Sequence, residues 1–151
     1  MLENLKKWYK FKFEMIYFDK VYGHKQISQG NMATVIGIVE KQYKKSKSLT
    51  VVKPGTQSRR FTHIDDTIEA CYFAWKKNKC NHYSITNKIS YTIIQVAKLF
   101  NKKKIKFLPF RKGERYVSGL TKMNLSNKVH RIYGKINLRE YIKEYKNLQK
   151  K

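Results

Sequence analysis

The chain has 151 residues, of which 34 are Lys or Arg and 10 are Asp or Glu, giving a formal net charge of +24. That length suits about one domain, and with 41% hydrophobic and 14% aromatic residues it can bury a modest core, which excludes a disordered chain. The charge favours any polyanion, but the lysines are spread along the whole chain. Their short clusters at 44–47, 76–79 and 102–104 fall near predicted helix ends, where cations suit the helix dipole; a solvated lysine-rich surface is the simpler reading.

Cys71 and Cys80 form no C-x-x-C pair and have no histidines at zinc spacing, so neither a metal site nor a secreted disulfide framework is expected. Cys71 lies on an apolar helical stripe and reads as a reduced core thiol. There is no apolar run of 18 residues for a membrane span. The start, Met-Leu-Glu-Asn-Leu-Lys-Lys, lacks the apolar region of a signal peptide. A cytoplasmic protein is expected.

In chain order, Met1 to about Tyr9 reads as a short helix with Leu2 and Leu5 inward. It starts without a capping signal, and a natural domain rarely begins that way. Glu14–Phe18 is an apolar strand leading into Asp19-Lys20-Val21-Tyr22-Gly23. After a polar loop, His24–Gly30, Asn31 opens a helix to about Tyr43, with Val35, Ile36, Val39 and Tyr43 on one face. Leu49–Val52 is a strand. The turn Pro54-Gly55 then opens the least generic run, Gly55-Thr56-Gln57-Ser58-Arg59-Arg60-Phe61-Thr62-His63-Ile64-Asp65-Asp66. Asp66 and Glu69 have capping-box spacing for the next helix. Its Ile68, Cys71, Tyr72 and Trp75 follow i, i+3, i+4, i+7 and predict a core-facing stripe.

His82–Ile85 is a strand candidate, and Ser90 is placed to cap a helix with Ile93, Val96, Ala97 and Phe100 on its buried stripe. Ile105–Leu108 is a strand before the loop Pro109-Phe110-Arg111-Lys112-Gly113-Glu114. Asn137-Leu138-Arg139-Glu140 has capping-box spacing, ahead of a stripe of Leu138, Tyr141, Ile142, Tyr145 and Leu148.

The 55–66 run resembles the G-T-x-x-R-D-F-x-H-V-x-D segment of the NAD-dependent epimerase/dehydratase family, the extended short-chain dehydrogenases that act on nucleotide sugars, UDP-glucose 4-epimerase among them. Arg59 falls on the family arginine that contacts the nucleotide diphosphate, while Arg60 stands where the family has Asp. A guanidinium can hold two phosphate oxygens at once, and the chain has six Arg against 28 Lys. Residues 17–23 resemble the family's Y-F-Y-N-V-Y-G, with Lys20 in place of an asparagine that contacts substrate. Pro109–Glu114 resembles P-x-R-x-G-[DE], putting Arg111 on the second diphosphate arginine and Glu114 on the acidic residue near the ribose. The family places a helix and strand like 31–43 and 49–52 along its nucleotide site.

The resemblance implies an α/β fold: the C-terminal part of an extended short-chain dehydrogenase, with residues 1–30 ending a dinucleotide-binding domain and 31–151 forming a partly interleaved nucleotide-sugar region. It implies a UDP-sugar or related ligand, NAD as cofactor, and substrate contacts at Arg59, Arg111, Glu114, Lys20 and Tyr22. The family's glycine-rich NAD turn and its Tyr-x-x-x-Lys pair do not occur here; Met1 aligns shortly after the catalytic lysine. No catalytic residue is therefore expected in the chain, and a separate chain could carry the NAD half. Homodimerisation stays open. The alternative is a basic nucleic-acid-binding module, resting on charge and aromatics without a recognised motif.

Overall fold

A computed structural model describes residues 1–110, 112 and 129–149. It is an α/β fold with mostly parallel pairing. The elements are α1 (Leu2–Tyr9), β1 (Met15–Phe18), β2 (Val21–Tyr22), α2 (Val35–Lys44), β3 (Leu49–Val52), β4 (Ser58–Arg59), β5 (Thr62–His63), α3 (Ile64–Lys77), β6 (His82–Thr86), β7 (Tyr91–Thr92), α4 (Ile93–Phe100), β8 (Ile105–Leu108), β9 (Val129–Tyr133) and α5 (Leu138–Leu148). Strands β1, β6 and β9 form a parallel sheet in the order β1-β6-β9. β3 pairs parallel with β8, β2 parallel with β5, and β4 antiparallel with β7.

The core gathers where α2, α4 and α5 close on β3. Ile36, Val39, Leu49, Val96, Phe100 and Ile142 are each at most 2% exposed. At roughly 2 kcal/mol per fully buried aliphatic side chain, this cluster is the main source of stability. Gln42 fastens α2 to β3, since its Nε2 donates to Thr50 Oγ1 at 2.8 Å while its Oε1 accepts from Thr50 N at 2.9 Å.

Helix starts differ from their sequence expectations. Helix α2 begins after Thr34, whose hydroxyl accepts from Gly37 N, and not at Asn31. Helix α4 is capped by a Thr92–Gln95 capping box, not by Ser90. Helix α3 is capped by His63, whose Nδ1 accepts from Asp65 N. Asp66 does not cap. It is buried, and its two oxygens accept from Lys135 N and Ile136 N, each at 3.0 Å. Those amides follow β9 in the turn before α5, so the backbone of that turn outbids the local cap. A Cβ on Gly134 would sit 2.6 Å from Asp66 Oδ2, which explains a glycine there. Glu14 works in the same way between α3 and β6, accepting from Cys80 N and Asn81 N at 2.9 and 2.8 Å.

The largest correction concerns α3. Its expected core stripe is exposed: Ile68 58%, Tyr72 57% and Trp75 71%, with Cys71 also exposed, so Cys71 is not a core thiol. The helix packs through its opposite face, where Thr67, Ala70 and Ala74 are buried. Small side chains let a helix approach a sheet closely, and the bulky residues are left outside. Likewise Leu2 is exposed rather than inward, and Leu148 leaves the α5 stripe for solvent.

Asp66→Ala should cost about 2–4 kcal/mol, because it strands two backbone donors in a buried turn. Urea unfolding checks this. A loss under ~1 kcal/mol would mean that water readily replaces the carboxylate.

Candidate functional site

A cleft of about 490 Å³ opens beside the C-terminal ends of β3 and β8. In open α/β folds that is where ligands bind. Its walls come from four places: the segment 31–34 with the first turn of α2, Thr50 and Val52 of β3, Gln57 to Phe61 around β4, and Lys20 with Val21. Ile93 and Leu108 complete the apolar part.

Lys20 and Arg59 therefore meet in one cleft although 39 positions separate them in sequence (59 − 20). Lys20 is exposed and has a left-handed φ of 36°. Arg59 is half-buried, and its Nη1 donates to Ser58 O at 2.8 Å. Among the described lining residues there is no carboxylate. The first turn of α2 adds its partly positive end. Together these features make a cleft suited to an anion carrying a flat or apolar part. Gln57 is 1% exposed, and both polar atoms of its carboxamide lack a partner. Nothing in the sequence marked Gln57, Thr34 or Thr50 individually; only the placing of a helix and strand along the family site pointed at this wall.

Backbone contacts hold the Arg59 segment. Ile93 N donates to Gln57 O at 3.1 Å, and Ile94 N donates to Gly55 O at 3.0 Å. Gly55 has φ 76°, and a Cβ there would lie 2.7 Å from Val51 Cγ1. Arg60, the departure from the family pattern, donates to Asn87 O at 3.3 Å.

Tyr22 takes a different place from Lys20. Alternation along β2 leaves Val21 at the cleft and turns Tyr22 into the core, 1% exposed, where its hydroxyl donates to Ile136 O at 3.3 Å. Its ring stands edge-on to His63 and Tyr141 at 5.2 and 5.0 Å. Burial, with the Asp66 charge adding, pushes the Tyr22 hydroxyl well above the usual tyrosine range. Arg111 and Glu114 lie outside the described residues. Among the described residues no group of three or more His, Cys, Asp or Glu could hold a metal ion, and no helix is long and apolar enough to cross a membrane.

Behind the cleft, Glu40 of α2 is 8% exposed. It accepts from Tyr141 Oη at 2.8 Å and from Gln26 Nε2 at 3.1 Å. Burial raises its pKa, and the two hydrogen bonds oppose the rise. A carboxyl whose pKa is raised by folding binds its proton more tightly in the native state. Its stabilising effect is present at low pH and is lost as pH climbs from the ordinary glutamate value, about 4.3, through the raised one. Glu40→Gln removes that titration. Urea unfolding across this range should show the variant gaining on the parent as pH rises through the raised value, then keeping a constant offset from it above that. A difference constant across the whole range would mean that the folded and unfolded values coincide.

The sequence profile of the NAD dependent epimerase/dehydratase family matches residues 1–87. No curated protein matches by sequence. Among solved structures, UDP-glucose 4-epimerase of Thermotoga maritima with UDP-glucose has a TM-score of 0.76 at 20% identity, over 99% of this chain and 50% of that one. UDP-N-acetylglucosamine 4-epimerase of Methanobrevibacter ruminantium, with UDP-N-acetylmuramic acid, gives 0.76 at 17%, over 99% and 48%. UDP-glucuronic acid 4-epimerase of Bacillus cereus, with UDP-glucuronic acid and NAD, gives 0.74 at 21%, over 98% and 48%. These likenesses establish the fold, that of the extended short-chain dehydrogenases. The chain spans about half the length of these structures.

Proposed function

Because the chain belongs to the NAD dependent epimerase/dehydratase family, we propose that it is the nucleotide-sugar-binding portion of a sugar-nucleotide epimerase or dehydratase. The observation that carries this reading is the joint placing of Lys20, Arg59 and the start of α2 around one cleft whose described lining has no carboxylate. A nucleoside diphosphate offers what such a cleft takes: a doubly charged bridge for the cations, and a base and sugar for the apolar walls. Arg59 holds the diphosphate, with Arg111 as the second arginine and Glu114 near the ribose. Lys20 replaces a neutral amide of the family and adds charge on the phosphate side. Tyr22 acts from the core, by fixing the strand that carries Lys20.

In this reading residues 1–30 end a dinucleotide-binding domain, and 31–151 form the nucleotide-sugar region. The family cofactor NAD would supply reversible oxidation of a sugar hydroxyl. The seven glycines of the chain include no G-x-x-G-x-x-G turn to seat its pyrophosphate, so this chain's own part is binding and orienting the sugar nucleotide. Catalysis then requires the NAD-binding half, from a separate chain or from more of the same polypeptide. Nucleic acid would be held only by general charge.

Calorimetric titration with UDP-glucose, with UMP and a short oligonucleotide as controls, tests this at ~0.3 M salt, where exposed charges are strongly screened. Saturable binding of UDP-glucose is expected. Arg59→Leu and Arg111→Leu should each weaken it about 10- to 100-fold, the scale of a lost charge-assisted contact of ~1.5–3 kcal/mol, whereas Lys103→Leu should change it little. Equal losses in all three would leave only general charge and sink the reading.

A further inference from the structure

Helix α3 carries an apolar stripe that the fold leaves uncovered. Ile64, Ile68, Tyr72 and Trp75 are 39%, 58%, 57% and 71% exposed. At 100° per residue they share about 80° of arc. Single exposed apolar residues need no explanation, but a contiguous stripe with two aromatic rings marks a contact surface. The rings of Tyr72 and Trp75 already touch, with centroids 5.8 Å apart.

The charges beside the stripe identify its occupant. One flank carries Asp65 near the start of the helix and Lys76 near its end. The opposite flank carries Cys71. We propose that α3 docks on α3 of a second copy of this chain, antiparallel, about a two-fold axis in the plane of contact. That operation sets each flank against itself with its direction reversed. Asp65 of either copy then meets Lys76 of the other, twice over, as an isologous interface requires. Tyr72 of one copy lies on Ile68 of the other, and Trp75 on Ile64. The two Cys71 side chains approach each other near the axis. A parallel pair would instead set the Asp65 and Lys76 flank of one copy against the Cys71 flank of the other, leaving both charges without a partner across the contact. A polyanion would face Asp65 and Glu69, the latter already paired with Lys135 at 2.8 Å. The remaining charge on each copy is strongly positive, so the apolar contact forms against a net repulsion.

That conflict gives the dimer a signature. Screening weakens the repulsion, so association strengthens with salt, opposite to binding of a polyanion. Sedimentation equilibrium of the full chain at ~0.3 M NaCl should give twice the 18.1 kDa of one chain, falling toward 18.1 kDa at low salt or on dilution. Trp75→Glu, at an exposed position that leaves folding intact by circular dichroism, should weaken dimerisation ~30-fold or more, as loss of an aromatic anchor does. Asp65→Lys or Lys76→Asp should each weaken it about two- to tenfold, and the two together should restore it. On a Cys80→Ser background a short bismaleimide should join two chains through Cys71, and Cys71→Ser should abolish the product. A single-chain mass at every concentration and salt, or a dimer indifferent to Trp75→Glu, would overturn the proposal. A dimer that the charge swap fails to restore would overturn the antiparallel register. None of these outcomes depends on nucleotide binding.

Discussion

The fold depends on a buried carboxylate that serves the backbone. Asp66 accepts from Lys135 N and Ile136 N and so ties the first turn of α3 to the chain as it leaves β9 and enters α5. Asn87 adds a second tie to the same turn, donating to Ile136 O at 3.1 Å. These bonds help to fix the entry to α5, whose Leu138, Tyr141 and Ile142 close the core. Glu14 repeats the device between β1 and β6. Of the ten acidic residues, Asp66 and Glu14 each serve a pair of backbone amides, where two donors share one charged acceptor. Acidic residues are few against the thirty-four Lys and Arg of the chain.

That imbalance explains how a weakly enclosed cleft can still have a definite character. The backbone brings Lys20 and Arg59 to one cleft. Lys20 sits at the left-handed turn between β1 and β2, and Arg59 on β4, held by α4. A site built this way gains selectivity for charge from the scaffold, and for shape from the aliphatic walls.

Much of this was legible in sequence where local chemistry decides. Leu49–Val52 and Ile105–Leu108 are strands with the expected bounds, the helices around 35–44, 93–100 and 138–148 follow their apolar periods, and a helix forms at 64–77 as expected but turns its apolar stripe outward. The meeting of Lys20 and Arg59 followed only from a resemblance, since no local rule joins residues so far apart. Two features were not legible. Asp66 has every local mark of a capping residue, but its partners lie about seventy positions away, and only the closed fold supplies them. Helix α3 has two plausible inner faces, one aromatic and one of alanine and threonine. Periodicity ranks them by hydrophobicity, whereas the sheet selects by size. Tyr22 illustrates the same limit: on a two-residue strand, one step of alternation separates the cleft from the core.

The turn that bears Arg59 is anchored by two carbonyls, at Gly55 and Gln57, which accept the leading amides of α4. Those amides would otherwise need water or a separate cap. The helix is completed by the loop, and the loop is immobilised by the helix, in a single exchange. A segment ordered in this way loses little conformational entropy when something binds beside it. Encounter with a ligand is then governed by diffusion and by the field of the surrounding lysines rather than by a waiting time for the loop to assemble.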